Sequence, residues 1–229
     1  MTIRLLLFTL FFNCMSLSAQ TDSPFEAEIR AFEQSDMISK PAKGQILLYG
    51  SSTMAMWNSF QQDLAGYPVI NRGFGGSQMS DAILYFDRVV VPLEPSWILL
   101  YEGDNDLTNG KKTPRRIFKD FKIFMKQVKR KLPQTKVAVF SLRPSIARET
   151  TMPQQRKVNR RFKRYACWHR KRVFFIDATN PLLTPDRRPN PEFLHEDQLH
   201  LNAKGYEVWT KVTLDFLQKK VAKAIADAP

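Results

Sequence analysis

Trp97-Ile98-Leu99-Leu100-Tyr101 is a continuous apolar run, closed by Glu102-Gly103-Asp104-Asn105-Asp106. Apolar side chains without alternation predict a strand covered on both faces, as inside a parallel sheet. The same arrangement recurs on either side of it. Gln45 to Tyr49 ends at Gly50-Ser51-Ser52, and Val69 to Asn71 leads into Gly73-Phe74-Gly75-Gly76. Lys136 to Leu142 and Val173 to Ile176 read as two further strands. Helical patterns separate these runs. Pro24 to Gln34 carries Phe25, Ile29 and Phe32 on one stripe, and Ser77 to about Val90 stops before Pro92. Thr113-Pro114 supplies an N-cap and a first helical residue for a helix reaching Leu132, with Ile117, Phe121, Phe124 and Val128 as its core stripe. Pro153 to His169 and Asn202 to about Ala226 complete the set. Alternating strands and helices predict an α/β chain with a five-stranded parallel sheet and helices on both faces.

The bulk numbers agree with one such domain. The chain has 229 residues, 43% of them hydrophobic, which is enough for a sizeable core and argues against disorder. The first twenty residues stand apart. Arg4 is their only charge, Leu5 to Phe12 is apolar except for Thr9, and small residues follow at Ser16, Ser18 and Ala19. This predicts a secretory signal peptide over 1–19, cleaved near Ala19, and a single domain over 20–229, exported to the periplasm or beyond. An uncleaved anchor is the alternative. Asn13 before Cys14 is too polar and bulky for a lipoprotein processing site. No later segment is apolar enough to cross a membrane as a helix. With Cys14 removed, Cys167 stands alone, so no intramolecular disulfide is expected, and its place in a helix suggests packing.

The formal charge is +13, and it is concentrated. Lys111 to Lys131 holds ten Lys and Arg residues against Asp120 alone, and Met152 to Arg172 holds nine without an acid. Right-handed crossovers put these two helices on one face of the sheet, where their charges could merge. A solvated pair of helix faces explains this; so would docking to an anionic phospholipid, lipopolysaccharide or acidic glycan. An exported chain without a nucleic-acid-binding motif is not expected to bind nucleic acid.

Ligands of open parallel sheets bind beyond the carboxyl ends of the strands. Three polar blocks fall there. Ser52 begins a turn whose N–H groups favour an anion, although Ser51-Ser52-Thr53 could equally cap a helix. Gly73, Gly75 and Gly76 permit close backbone approach but match neither a dinucleotide fingerprint nor a P-loop, which disfavours a nucleotide binder. Asn105 could present an amide donor or simply serve a turn. Near the C-terminus, Asp197 precedes His200 by three residues, close enough for its carboxylate to hold the ring. A zinc motif fails because Leu199 stands where a second histidine would follow His195-Glu196. His195 and His169 read as loop and surface residues. Arg143, before Pro144, could meet an anionic substrate group or lie on the surface.

In this order the blocks closely resemble the SGNH/GDSL hydrolase superfamily over roughly Phe25 to Val221. Val69-Ile70-Asn71-Arg72-Gly73-Phe74-Gly75-Gly76-Ser77 and Gly103-Asp104-Asn105-Asp106 look like the branch of platelet-activating-factor acetylhydrolase and lysophospholipase L1-like esterases. The resemblance implies a three-layer α/β/α sandwich of flavodoxin-like type and a serine hydrolase without metal or cofactor. By matching, Ser52 is the nucleophile, and Asp197 and His200 complete the triad. The Ser52 and Gly76 N–H groups and the Asn105 amide would form the oxyanion hole. The first block departs from the family name by reading Gly50-Ser51-Ser52, which removes a charge beside the nucleophile. Short acyl esters of a glycan or small molecule are the expected substrates, since no long apolar lid is evident. A lysophospholipid, or a non-catalytic anion-binding role, is the alternative.

Overall fold

The computed structural model describes residues 23–222. The proposed leader over 1–19 and the end of the last expected helix lie outside them. Five parallel strands, β1 (Ile46–Gly50), β2 (Val69–Gly73), β3 (Trp97–Tyr101), β4 (Lys136–Phe140) and β5 (Val173–Ile176), pair in the order β2-β1-β3-β4-β5. This is the flavodoxin-like order. Every residue of β1 and β3 is buried, whereas the edge strands β2 and β5 are half-buried. Burial on both faces explains why the central runs contain no polar alternation.

Helix α1 (Glu26–Ile38) precedes the sheet, and the short helices α2 (Ser52–Ala55) and α3 (Phe60–Asp63) follow β1. Helices α4 (Met79–Leu84) and α5 (Phe86–Val89) follow β2, and α6 (Asp104–Thr108) and α7 (Pro114–Lys131) follow β3. Helix α8 (Met152–Trp168) joins β4 to β5, and α9 (Ala203–Leu217) closes the architecture. Helices α4, α7 and α8 adjoin one another on one side, while α3 and α9 meet on the other. The result is a three-layer α/β/α sandwich.

The core is strongly aromatic. Phe121 packs on Phe162 with ring centroids 4.6 Å apart, and Trp209 stacks on Phe140 at 4.7 Å. The first contact locks α7 to α8, and the second seats α9 under the sheet. All four residues of the expected α7 stripe are fully buried. Thr113 Oγ1 accepts from the Arg116 N–H at 3.3 Å, which starts α7 at Pro114.

Local differences have identifiable causes. Strand β4 ends at Phe140 because the Asn159 side chain takes over the backbone of Leu142, accepting from its N–H and donating to its carbonyl. The helix expected from Ser77 begins at Met79, where Asp81 accepts from the Gln78 N–H, and it is interrupted at Tyr85. Cys167 is exposed, against the expectation of packing: Ala166 takes the buried position and Cys167 and Trp168 face solvent. The two basic helices do share a face, and at their seam Lys122 and Arg161 both sit over the Phe118 ring.

Candidate active site

Strand β1 delivers Gly50 and Ser51 to the carboxyl edge of the sheet, and α2 starts at Ser52. Gly50 has φ +136°, and a Cβ there would lie 2.0 Å from the Tyr101 carbonyl oxygen, so only glycine lets β1 pass β3 this closely. The turn is bolted from several directions. Asn71 Nδ2 donates to the Met54 carbonyl at 2.7 Å, while Asn71 Oδ1 accepts from the Gly73 N–H at 2.8 Å. The Tyr206 hydroxyl donates to the Thr53 carbonyl at 3.0 Å, and its ring stacks on Trp57. Ser52 is thereby presented at the start of a helical turn, where first-turn N–H groups lack intrahelical acceptors.

His200 arrives on a different kind of support. It lies in a loop closed by the Leu194–Leu201 bridge and by the His195 N–H donating to the His200 carbonyl at 2.8 Å. Asp197 Oδ1 accepts from the Leu199 and His200 N–H groups, each at 2.9 Å. Asp197 Oδ2 lies 2.6 Å from His200 Nδ1, and His200 Nε2 lies 3.1 Å from Ser52 Oγ across 148 positions of sequence. Partial desolvation pushes the Asp197 carboxyl upward, but the His200 ring and the two backbone donors outweigh it and hold its pKa well below the usual range. An ionised Asp197 accepts a hydrogen bond from Nδ1–H, which keeps the proton on Nδ1 and leaves the Nε2 lone pair facing the serine hydroxyl.

The remaining expected residues border the same edge. Gly76 is exposed with φ +84°, and its N–H has no acceptor among the described residues. Asn105 is buried at the start of α6, and its Nδ2 donates to the Ser77 carbonyl at 2.9 Å. Its Oδ1 accepts from Arg148 Nη2 at 2.8 Å. Arg148 also donates to Asp104 Oδ2 at 2.5 Å, and Gln155 donates to Asp104 Oδ1 at 2.9 Å. These bonds fix which end of the Asn105 amide faces the Gly76-Ser77 turn. His195 is an exposed loop residue; His169, also exposed, stacks on Tyr165 at the far end of α8.

Three residues contribute what their sequence positions did not disclose. Arg143 is 2% exposed, so it is neither a surface residue nor open to an anionic substrate group. Its Nε donates to Thr53 Oγ1 at 2.9 Å and its Nη1 to the Leu199 carbonyl. It thus ties the serine turn to the histidine loop. Arg148, besides holding Asn105, follows Ala147, whose N–H donates to the Gln198 carbonyl at 3.0 Å. Glu102 is 1% exposed; Ser77 Oγ donates to its Oε1 at 2.6 Å, while Oε2 is buried without a partner. Burial pushes its carboxyl well above the ordinary range, with nearby Asp106 and Asp81 adding to the shift against the Ser77 bond. No group of three or more His, Cys, Asp or Glu suited to a metal occurs among the described residues.

Comparison with known proteins places the chain as a whole. The model of the GDSL-like lipase/acylhydrolase family matches residues 47–208. No curated protein matches the chain at a significant level. A GDSL-like lipase from Bacteroides thetaiotaomicron is 18% identical with a TM-score of 0.72, over 84% of this chain and 98% of its own. A carbohydrate esterase family 3 protein from Talaromyces cellulolyticus is 16% identical with a TM-score of 0.60, over 81% and 100%. A variant of an acetyl-xylooligosaccharide esterase from Geobacillus stearmophilus is 14% identical with a TM-score of 0.60, over 77% and 95%. At these identities the likeness to solved structures is one of fold.

Proposed function

This chain belongs to the GDSL-like lipase/acylhydrolase family, and we propose that it is a serine esterase working through an acyl-enzyme on Ser52. The 3.1 Å and 2.6 Å contacts that join Ser52, His200 and Asp197 in series carry this reading. His200 Nε2 takes the Ser52 proton as Oγ attacks the ester carbonyl carbon. Asp197 holds the ring in the required tautomer and stabilises the imidazolium. The N–H groups of Ser52 and Gly76 and the Asn105 amide receive the oxyanion. His200 then returns the proton to the departing alkoxide. Water, deprotonated by the same imidazole, cleaves the acyl–Ser52 bond to give the carboxylic acid and free serine.

The substrates are esters of small molecules or sugars carrying short acyl groups, acetyl foremost. Two fold neighbours are named as esterases of carbohydrate or acetyl-xylooligosaccharide, in line with this reading, while another is named a lipase, so acyl-chain length is the property to test. The apolar leader, followed by small residues up to Ala19, supports export of the mature chain. Ser52→Ala is expected to lower turnover of a p-nitrophenyl acetate type ester by about a thousandfold or more, and to abolish labelling by a fluorophosphonate probe. Full activity in that variant rejects the assignment. An acyl-chain-length series then tests the substrate: a sharp preference for acetate is expected, and a preference for long chains favours the lysolipid reading.

A further inference from the structure

A concavity lies at the carboxyl side of the sheet, near the ends of β4 and β5. A cleft of about 440 Å³ opens between α8 and the segment after β5. That volume is within the range of small-ligand sites, roughly 300–1,000 Å³. Its floor is apolar, made by Met152, Phe175 and Leu183, and its rim is cationic, made by Arg156, Arg160, Lys163 and Arg187. Arg156, Arg160 and Lys163 recur at helical spacing along one side of α8. None of the four cations has a carboxylate partner among the described residues. The cleft's one carboxylate, Asp177, is turned to local use. It accepts from the N–H groups of Thr179 and Asn180 and from the Asn180 side chain. Four like charges left together around an apolar floor cost stability through mutual repulsion, and an anion relieves that cost.

The cleft is also joined to the ester site. Gln155 lines it and donates to Asp104, the neighbour of Asn105. Ser141 lines it from the end of β4, two residues before Arg143. Both links set the cleft at the carboxyl side of the sheet, where Ser52 also stands.

We propose that this cleft is a subsite for a carboxylate-bearing sugar residue, so that the substrate is an acylated acidic oligosaccharide. The proposal rests on the esterase reading above and adds its substrate class. Guanidinium groups suit carboxylates through paired N–H donors. The C–H face of a sugar ring suits the Phe175 floor, where burial of apolar surface adds to the charge term. A concave site with an apolar floor suits a chain molecule entering end-on better than a planar anionic membrane, for which a convex face would serve.

Binding separates the proposal from catalysis. An unesterified oligogalacturonide and a neutral xylo-oligosaccharide of equal length are titrated into the full chain by calorimetry. The acidic ligand is expected to bind at least about tenfold more tightly, and to weaken as salt rises, because the rim charges are exposed and screened. Arg156→Glu combined with Arg160→Glu should weaken it at least another tenfold, with folding checked by circular dichroism. If that pair does not fold, Lys163→Glu alone should still produce a measurable loss. Equal affinity for the neutral sugar, or no loss on charge reversal in a folded variant, overturns the proposal. So does binding of phosphatidylglycerol vesicles that these reversals abolish while the oligogalacturonide does not bind. An absence of esterase activity with acidic-sugar binding intact would strike the catalytic reading and leave the cleft standing.

Discussion

The two halves of the Ser52–His200 pair are held by different means. The serine half, with Gly76 and Asn105, rests on β1, β2 and β3, whose ends are fixed by strand pairing, by the half-buried Asn71 and by the buried Ser77 and Glu102 side chains. The histidine half is a loop. The Asp197 side chain is 48% exposed and that of His200 23%, and outside its own turn the loop is gripped at the Gln198 and Leu199 carbonyls. Both grips come from the segment after β4: the Ala147 N–H takes one and the Arg143 guanidinium the other. A nucleophile and its anion donors gain from fixed geometry. An imidazole that must pass a proton between serine, leaving group and water has use for a support with some give. Damage to the two halves should therefore look different.

The largest expected effect lies in the rigid half. Asn105→Ala removes one oxyanion donor and the acceptor of Arg148, and should lower kcat on a small acyl ester about a hundred- to a thousandfold. Because that donor acts in the transition state, the fall should appear in kcat and kcat/KM alike. A change confined to KM would take Asn105 out of the oxyanion hole and narrow the difference between the two halves.

The next effect tests the loop. Arg143→Met strands the buried Thr53 hydroxyl, at about 1–3 kcal/mol for an unsatisfied buried group, and releases the half-buried Leu199 carbonyl. With its grip on Leu199 gone, the histidine loop loses register with Ser52. A kcat decrease of roughly ten- to a hundredfold is expected, with KM for a small ester little changed, because Arg143 is buried away from ligand. Arg143→Lys can reach one of the two partners and should restore part of the loss. A Met variant that raises KM and spares kcat would instead make Arg143 a substrate-binding residue.

Much of this was legible in advance, for a physical reason. Apolar runs such as 97–101 and the stripe Ile117, Phe121, Phe124 and Val128 encode burial directly, since the hydrophobic effect is read residue by residue. Ser52, Gly76 and Asn105 could be placed at one edge because parallel strands end there. Arg143 could not be placed. Whether an arginine is buried depends on finding partners for its N–H groups, and its partners lie 90 and 56 positions away. Before Pro144 it reads equally well as a surface residue. Glu102, near a strand end, could not be placed either, because its burial depends on Ser77, 25 positions away, bonding to it. Cys167 erred in the opposite direction, because α8 turns Ala166 inward and leaves the thiol outside.

The smallest effect, Glu102→Gln, is read in stability. Burial penalises the Glu102 carboxylate, so the folded chain holds this proton to higher pH than the unfolded chain, which ionises near the ordinary value of 4.5. The folded state then binds more protons than the unfolded state at every pH between the two values. Stability from this group is complete below about pH 4.5 and declines as pH rises toward the raised folded value. One extra bound proton corresponds to about 1.4 kcal/mol lost per pH unit. Glutamine cannot ionise, can still accept from Ser77, and removes that slope. Urea unfolding at successive pH values from 5 to 7 should therefore show the wild-type chain losing stability faster than the variant, by at most about 1.4 kcal/mol per unit. Parallel curves would mean that Glu102 is ionised in the folded chain. The rigid half would then carry an uncompensated buried charge beneath Ser77 and Gly76, and the contrast between a neutral, fixed floor and a charged, exposed loop would fail at its base.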